Sequence, residues 1–118
     1  MSGIRGSLGA LAGFILLACG TAWSQPYPAK PVRVVIVFAP GGGTDIVGRI
    51  VMQKVGEQLG QQFIVENRAG AAGMIGAEYV AKSPPDGYML MVYTQTMLVN
   101  AHVYSKTPYD PLKSFIGI

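Results

Sequence analysis

The chain has little charge and almost no metal-binding or redox-active side chains. Of its 118 residues 13% are charged, and the net charge of +3 is not gathered into a basic run. This argues against nucleic-acid binding as the main function. The single cysteine, Cys19, cannot form an internal disulfide, and one histidine, His102, leaves too few ligands for a zinc site. We expect no metal and no cofactor.

Catalytic groups are also missing from the sequence pattern. No serine or cysteine lies near a general base in the pattern, so covalent catalysis has no support. The six carboxylates are scattered rather than paired. We predict structural positions for most charged residues: solvated helix faces for Glu57 and Glu78, turns for Asp86 and Asp110, and a surface ion pair for Arg68. The sequence therefore favours a protein that is not an enzyme.

Residues 1–24 have the pattern of a signal peptide. Arg5 supplies a positive start, a short apolar run occupies 8–19, and the small residues Ala22 and Ser24 precede a predicted cleavage after residue 24. The apolar run is too short to span a membrane comfortably. A loose lipoprotein-processing pattern ending at Cys19 leaves the alternative of a lipid anchor. Both alternatives predict an exported protein.

Apolar segments alternate with turns through the rest of the chain, and they predict an α/β fold. Short links between strands and helices indicate right-handed crossovers and a parallel sheet, with strand order second, first, third. The predicted strands are 32–38, 62–66 and 88–93, and the predicted helices are 44–59, 74–81 and 97–104.

A glycine-rich segment, Pro40 to Asp45, joins the first strand to the first helix; we call it the glycine turn. The first amides of a helix lack internal partners, so those of residues 42–45 form a candidate anion-binding edge. A plain strand-to-helix turn, with Thr44 as N-cap and Asp45 complementing the dipole, is an equal alternative. No lysine follows the glycines and Ile46 stands at the third dinucleotide position, so neither nucleotide motif is present.

A second polar segment, Thr94-Gln95-Thr96, follows the third strand; we call it the threonine turn. If the strands are parallel, both turns lie at the carboxyl edge of the sheet, where open α/β sheets bind ligands. Behind them, Gly70, Gly73 and Gly76 recur every third residue, a spacing that lets a loop and a helix start pack closely.

From Tyr27 to Ile118 the sequence resembles the periplasmic solute-binding receptors of tripartite tricarboxylate transporters, the Bug family. The departures are Val37, Ala69 and Ala101, where the family often has proline, and Met74, where it often has a polar residue. The matching stretches are Tyr27-Pro28-Ala29-Lys30-Pro31, Phe38 to Asp45, Val65-Glu66-Asn67-Arg68, Ile75-Gly76-Ala77-Glu78, Pro85-Asp86-Gly87-Tyr88 and Pro108-Tyr109-Asp110-Pro111.

The resemblance implies two α/β lobes of the type II periplasmic-binding-protein topology that close on a small carboxylate. It implies a ligand held mainly by backbone amides and water, and delivery of that organic acid or amino acid to membrane transporter subunits. No nucleic acid is expected as a partner. The ligand-binding residues to which the resemblance points are Pro40, Gly41, Gly42, Gly43, Thr44, Asp45, Thr94 and Thr96.

The length of the chain limits this interpretation. The resemblance covers only the opening half of a first lobe, and the apolar segment 115–118 is typical of the start of further structure. We therefore expect 25–118 to be a partial first lobe with the second lobe missing. Two alternatives stay open: a truncated remnant without binding activity, and an enzyme that uses the same anion-binding turn.

Overall fold

The computed structural model describes residues 25–118, and the predicted leader 1–24 with Cys19 lies outside the described residues. Three parallel strands form one sheet in the order β2-β1-β3. The strands are β1 (Val32–Ile36), β2 (Phe63–Asn67) and β3 (Met89–Val92). The helices are α1 (Gly43–Leu59), α2 (Met74–Ala81) and α3 (Thr96–Val103), with a 3-10 turn at Ala71–Gly73 before α2.

The predicted α/β fold and strand order are confirmed. The main difference is that β1 ends at Ile36, two residues earlier than predicted. The Arg68 amide donates to the Ile36 carbonyl at 2.9 Å, and beyond it the chain leaves the ladder. Val37 stays fully buried although it is no longer in the strand. The apolar run predicted a longer strand because Val37 has the apolar side chain of a buried residue, although it lies outside the ladder.

The central strand β1 forms the core of the sheet. Val32, Val34, Val35 and Ile36 are fully buried, because β1 has a neighbouring strand on each side and both of its faces are covered. Arg33 is its one exposed residue, and its Nη2 lies 2.7 Å from Glu66 Oε2. Burial of each of the four apolar side chains of β1 stabilises the fold by about 1.5–3 kcal/mol.

Helix α1 packs closely on the sheet at Gly48, which has no side chain to hold the two apart. A Cβ built at Gly48 would lie 3.0 Å from Ile36 Cδ1 and 3.6 Å from Val92, so a larger residue would force the helix outward. The helix therefore begins over the carboxyl ends of β1 and β3. Gly60 ends it in the left-handed conformation, as predicted. The apolar residues on its outer face keep 45–61% of their surface exposed; they are Ile46, Val47, Ile50 and Val51.

A second apolar cluster joins α2, α3 and the segment after α3. Ala77, Met97 and Tyr109 form its buried centre, and Phe115 packs against them. The Tyr109 hydroxyl donates to the Met97 carbonyl at 3.3 Å, which satisfies the one polar group of that ring. This cluster fixes the direction in which α3 leaves β3.

The segment before β1 is hydrogen-bonded to the turn that precedes β3. Tyr27 Oη donates to the Gly87 carbonyl at 2.6 Å, and the Ala29 amide donates to Tyr88 Oη at 2.9 Å. Asp86 accepts the Tyr88 amide at 3.0 Å, so the prediction that Asp86 shapes its turn is confirmed. These bonds hold the amino edge of the sheet, opposite the candidate site.

The other charged residues occupy the predicted structural positions. Glu57 and Glu78 form exposed intrahelical pairs with lysines, and Asp110 accepts the amides of its own turn. Arg68 pairs with Glu66 at 3.1 Å. Across residues 25–118, no helix combines the length and the hydropathy needed to cross a membrane.

Candidate functional site

The glycine turn presents a row of backbone amides at the start of α1. Gly42 is the N-cap in extended conformation, and the first helical bond runs from the Ile46 amide to the Gly42 carbonyl at 3.0 Å. Within residues 25–118, no acceptor receives the amides of Gly42, Gly43, Thr44 and Asp45. Gly42 and Gly43 are also exposed. These amides can therefore donate to an anion at the positive end of the helix dipole.

In the alternative of a plain strand-to-helix turn, Thr44 as N-cap is wrong, whereas Asp45 does lie in the first turn, at the positive end of the dipole. Helix α1 begins at Gly43, one residue earlier than predicted, and no side chain caps it. Thr44 therefore lies inside the first turn. Gly41, with φ of +83°, makes the reversal that lets the helix start early.

Asp45 is buried, and its carboxylate accepts hydrogen bonds from groups of the protein at the glycine turn rather than from solvent. It is 4% exposed and accepts three hydrogen bonds: from the Gly41 amide at 2.9 Å, Asn67 Nδ2 at 2.8 Å and Arg49 Nε at 3.0 Å. At the third helical position it reaches back past the N-cap, a variant of the capping box. The bonds from Gly41, Asn67 and Arg49 lower the pKa of Asp45 from 3.8 to about 2. The Gly41 amide is thus already engaged.

Arg49 and Asn67 complete this arrangement, and the sequence analysis did not identify either. Arg49 Nη2 donates to Asn67 Oδ1 at 2.7 Å, and Asn67 Nδ2 donates to the Phe38 carbonyl at 3.1 Å. The spacing of Asp45 and Arg49, four residues apart on a helix, was the available signal. The signal for Asn67 was weaker: it is a polar residue at the carboxyl end of a strand that runs parallel to β1.

The threonine turn reaches the same edge of the sheet. Ile36 and Val92 are partners in the β1–β3 register, so residues 40–45 and 94–96 both follow the carboxyl ends of neighbouring strands, as predicted. Thr94 Oγ1 donates to Thr96 Oγ1 at 3.0 Å. No hydrogen bond in the described part of the chain joins either threonine to the glycine turn. Both threonines line an open depression together with Tyr93, Gln95 and Leu98.

Two glycines at the start of α2 pack against Val37, which precedes the glycine turn. A Cβ at Gly76 would lie 2.7 Å from the Arg68 carbonyl oxygen and 2.9 Å from Val37 Cγ1, and one at Gly73 would lie 3.1 Å from Val37 Cγ2. The predicted close packing of this glycine series is confirmed. Asn100, on α3, donates from Nδ2 to the Ala72 carbonyl at 2.9 Å and so ties α3 to the same turn of chain.

His102 lies away from both turns. It is exposed, and its Nδ1 is 2.9 Å from the Leu98 carbonyl oxygen on its own helix. Among residues 25–118, no three histidine, cysteine, aspartate or glutamate side chains come together as a metal site.

A parallel sheet of order β2-β1-β3, with a glycine turn at its carboxyl edge, has the architecture of a periplasmic binding protein. A solved structure of a periplasmic transporter superposes with a TM-score of 0.70 and 46% identity, over 74% of this chain and 30% of that one. The structure of R. palustris Rpa4515 with adipate gives 0.66 and 37%, over 73% of this chain and 29% of the other.

The chain belongs to the receptors of the tripartite tricarboxylate transporter family. Residues 47–118 match the family described as Tripartite tricarboxylate transporter family receptor. BugT of Bordetella pertussis is 33% identical over 114 residues, which is 92% of this chain and 35% of BugT. The chain thus spans about a third of the length of this curated relative.

Proposed function

We propose that the chain takes part in capturing a small carboxylate for a tripartite tricarboxylate-type transporter. The observation that carries the proposal is the row of amides from Gly42 to Asp45, which begins at the exposed Gly42 and Gly43 and meets no acceptor within residues 25–118, in a chain of a receptor family. A carboxylate fits such a row, because two oxygens can accept several amide hydrogens at the positive end of a helix.

The predicted site residues take distinct parts in this proposal. Pro40 and Gly41 shape the turn, and the amides of residues 42–45 donate to the ligand. Thr94 and Thr96 form a second wall. The Thr94 hydroxyl donates to Thr96 Oγ1, so the Thr96 hydroxyl is the one that can donate to the far end of the ligand. The Gly41 amide is left out as a donor, because Asp45 already accepts it at 2.9 Å.

The ligand class and partners follow from the relatives. Rpa4515 holds adipate, a dicarboxylate, and it shares 37% identity with this chain. We propose a small organic acid or amino acid as the ligand, transporter subunits as the membrane partner, and the periplasm as the location. The division into a leader, 1–24, and a partial first lobe, 25–118, stays a prediction, as does the lipid anchor at Cys19.

Little binding activity in the 118 residues taken alone is the second candidate. It is favoured by the chain's coverage of about 30% of the length of each related structure, since a two-lobed receptor encloses its ligand from both sides. For this reason we expect the 118-residue chain alone to bind any carboxylate weakly. Binding as tight as that of a full-length relative would contradict this expectation.

Titration of the chain with adipate, malate, citrate, glutamate and glutamine, followed by amide NMR, tests the proposal. We expect millimolar ligand to shift the amides of residues 42–45 first. Gly43→Asp places a negative charge on the turn and should abolish these shifts. Gly117→Asp is the matched control, because a Cβ meets no heavy atom within 4 Å at either glycine. A folded chain without shifts for any of these compounds contradicts the proposal, as does a Gly43→Asp variant that binds normally.

A further inference from the structure

We propose that Asp45, Arg49 and Asn67 act together as a clasp that holds the glycine turn in its anion-receptive shape, with Asp45 as the central positioning residue. This inference rests on the proposed function, because it concerns how the same turn is prepared for a ligand. We call these three residues the Asp45 clasp. None of them is offered as a ligand-contacting side chain.

The bonds of the clasp hold the backbone at two points at the start of the glycine turn. Asn67 Nδ2 holds the Phe38 carbonyl at 3.1 Å, just before the turn, and Asp45 Oδ2 holds the Gly41 amide at 2.9 Å within it. The two anchoring residues are themselves joined, with Asn67 Nδ2 2.8 Å from Asp45 Oδ1. The turn is therefore fastened to the end of β2 as well as to α1, and a backbone held at two points keeps its amides aimed in one direction.

The burial of Asp45 leaves its carboxylate in contact with the residues that hold the turn rather than with solvent. Its side chain is 6% exposed, against 47% for Arg49, so Arg49 covers it from the solvent side. The Gly41 amide takes one carboxylate oxygen, and Asn67 and Arg49 share the other. The next four amides have no partner within residues 25–118. The clasp thus separates one internally satisfied amide from a row of amides that meet no acceptor in this part of the chain.

The sign of the charge makes the inference testable. A carboxylate at a helix N-terminus opposes the approach of another anion, and Arg49, at 3.0 Å, offsets that charge. If Asp45 acted on a ligand through its charge alone, its removal would tighten anion binding. If Asp45 acts by positioning the turn, its removal weakens anion binding in spite of the lost repulsion.

The experiment compares Asp45→Asn with Glu57→Gln in the 118-residue chain. Both variants remove one negative charge from α1, but Glu57 lies in an exposed pair with Lys54. We expect Asp45→Asn to speed hydrogen exchange at the Gly41 amide, which loses its carboxylate acceptor, and to move the amide resonances of residues 41–45, while the β1 amides stay protected. Adipate affinity should fall about tenfold, as is usual when a supporting residue of a site is lost. Glu57→Gln should change neither quantity.

Arg49→Gln is the second variant, in case Asp45→Asn does not fold. Arg49 is half exposed, so its loss spares the core, and we expect the same change at residues 41–45 on a smaller scale. Tighter or unchanged adipate binding in a folded Asp45→Asn variant overturns the inference, and so do unaltered amides at residues 41–45. If wild-type chain binds no adipate, the proposed function fails, and the amide exchange alone decides whether the clasp exists.

Discussion

The two turns at the carboxyl edge of the sheet are held in different ways. The glycine turn is bound by side chains from α1 and β2, and Val37, three residues before its start, packs on Gly76 of α2. The threonine turn has one hydroxyl bond, between Thr94 and Thr96, and the backbone bonds of a helix start, in which the carbonyls of Thr94 and Gln95 accept amides of residues 97–99 at 3.0–3.2 Å. The glycine turn is thus held by residues that are distant in the sequence, and the threonine turn only by bonds to its neighbours in the sequence.

This difference separates a preorganised wall from an adjustable one. A site gains affinity when the groups that meet the ligand are fixed beforehand by residues that the ligand does not touch. The glycine turn meets that condition within residues 25–118. The threonine turn is connected to the rest of the fold only further along α3, through Asn100 and the cluster around Met97. We therefore expect changes behind the glycine turn to have the larger effects.

Gly76→Ala is the most severe way to disturb the anchored turn. The new methyl group would lie 2.7 Å from a backbone oxygen and 2.9 Å from Val37 Cγ1, so Val37 and the turn must shift. We expect the free energy of unfolding, measured by urea titration, to fall by about 2–3 kcal/mol. Gly43→Ala is the control, since nothing lies within 4 Å of its Cβ, and it should be neutral or gain up to about 1 kcal/mol. Equal stabilities would contradict the packing argument.

Asn100→Ala tests a distant hydrogen bond on the threonine side. Asn100 is 4% exposed, and its loss removes the bond to the carbonyl of the exposed residue Ala72. The free energy of unfolding should fall by about 1 kcal/mol. Gln53→Ala, at an exposed position of α1, should change it by less than about 0.5 kcal/mol. A neutral Asn100→Ala would mean that α3 is held by apolar packing alone.

Acid should weaken the anchored turn. Because folding lowers the pKa of Asp45 from 3.8 to about 2, its contribution to stability is complete above pH 3.8 and is lost as the pH falls through 2. Burial opposes a similar shift at Glu66, but hydrogen bonds from Arg33 and Arg68 prevail and lower its pKa. Urea midpoints between pH 6 and pH 2 should therefore fall less steeply in Asp45→Asn than in wild type. Parallel curves would show that Asp45 titrates normally.

Thr94→Val should have the smallest effect. It keeps the shape of the side chain and removes one half-buried hydroxyl bond of 3.0 Å, so we expect a loss of about 0.5–1 kcal/mol. Hydrogen exchange should increase only around residues 94–97. If the amides of residues 41–45 also changed, the two turns would be coupled and the contrast between them would not hold.

The sequence predicted the fold better than the site. Strand and helix periodicity is local, so the run from Val32 and the helical spacing after Asp45 were enough to place β1, α1 and the sheet order. The same logic overextended β1, because Val37 is buried by the glycines of α2 rather than by a neighbouring strand. Local pattern also offered Thr44 as N-cap in one of two equal alternatives, since it gives no information on a carboxylate that reaches back to Gly41.

The clasp was missed because its partners are distant in the sequence. Asn67 meets Asp45 only after the chain has traversed α1 and formed β2, a separation of 22 residues. Before folding, Asp45 and Arg49 look like an ordinary surface pair. The burial that makes Asp45 structural depends on the position of α1 over the strand ends, which Gly48 sets through its contact with Ile36 and Val92.

The outer face of α1 has a practical consequence for handling the protein. Ile46, Val47, Ile50 and Val51 each leave roughly half of their surface in contact with water. Apolar side chains gathered in this way on one stripe retain a molecule on hydrophobic-interaction resin and lower its solubility as sulfate is added. We expect late elution from such a column, and an earlier elution when Val47 and Ile50 are both replaced by threonine.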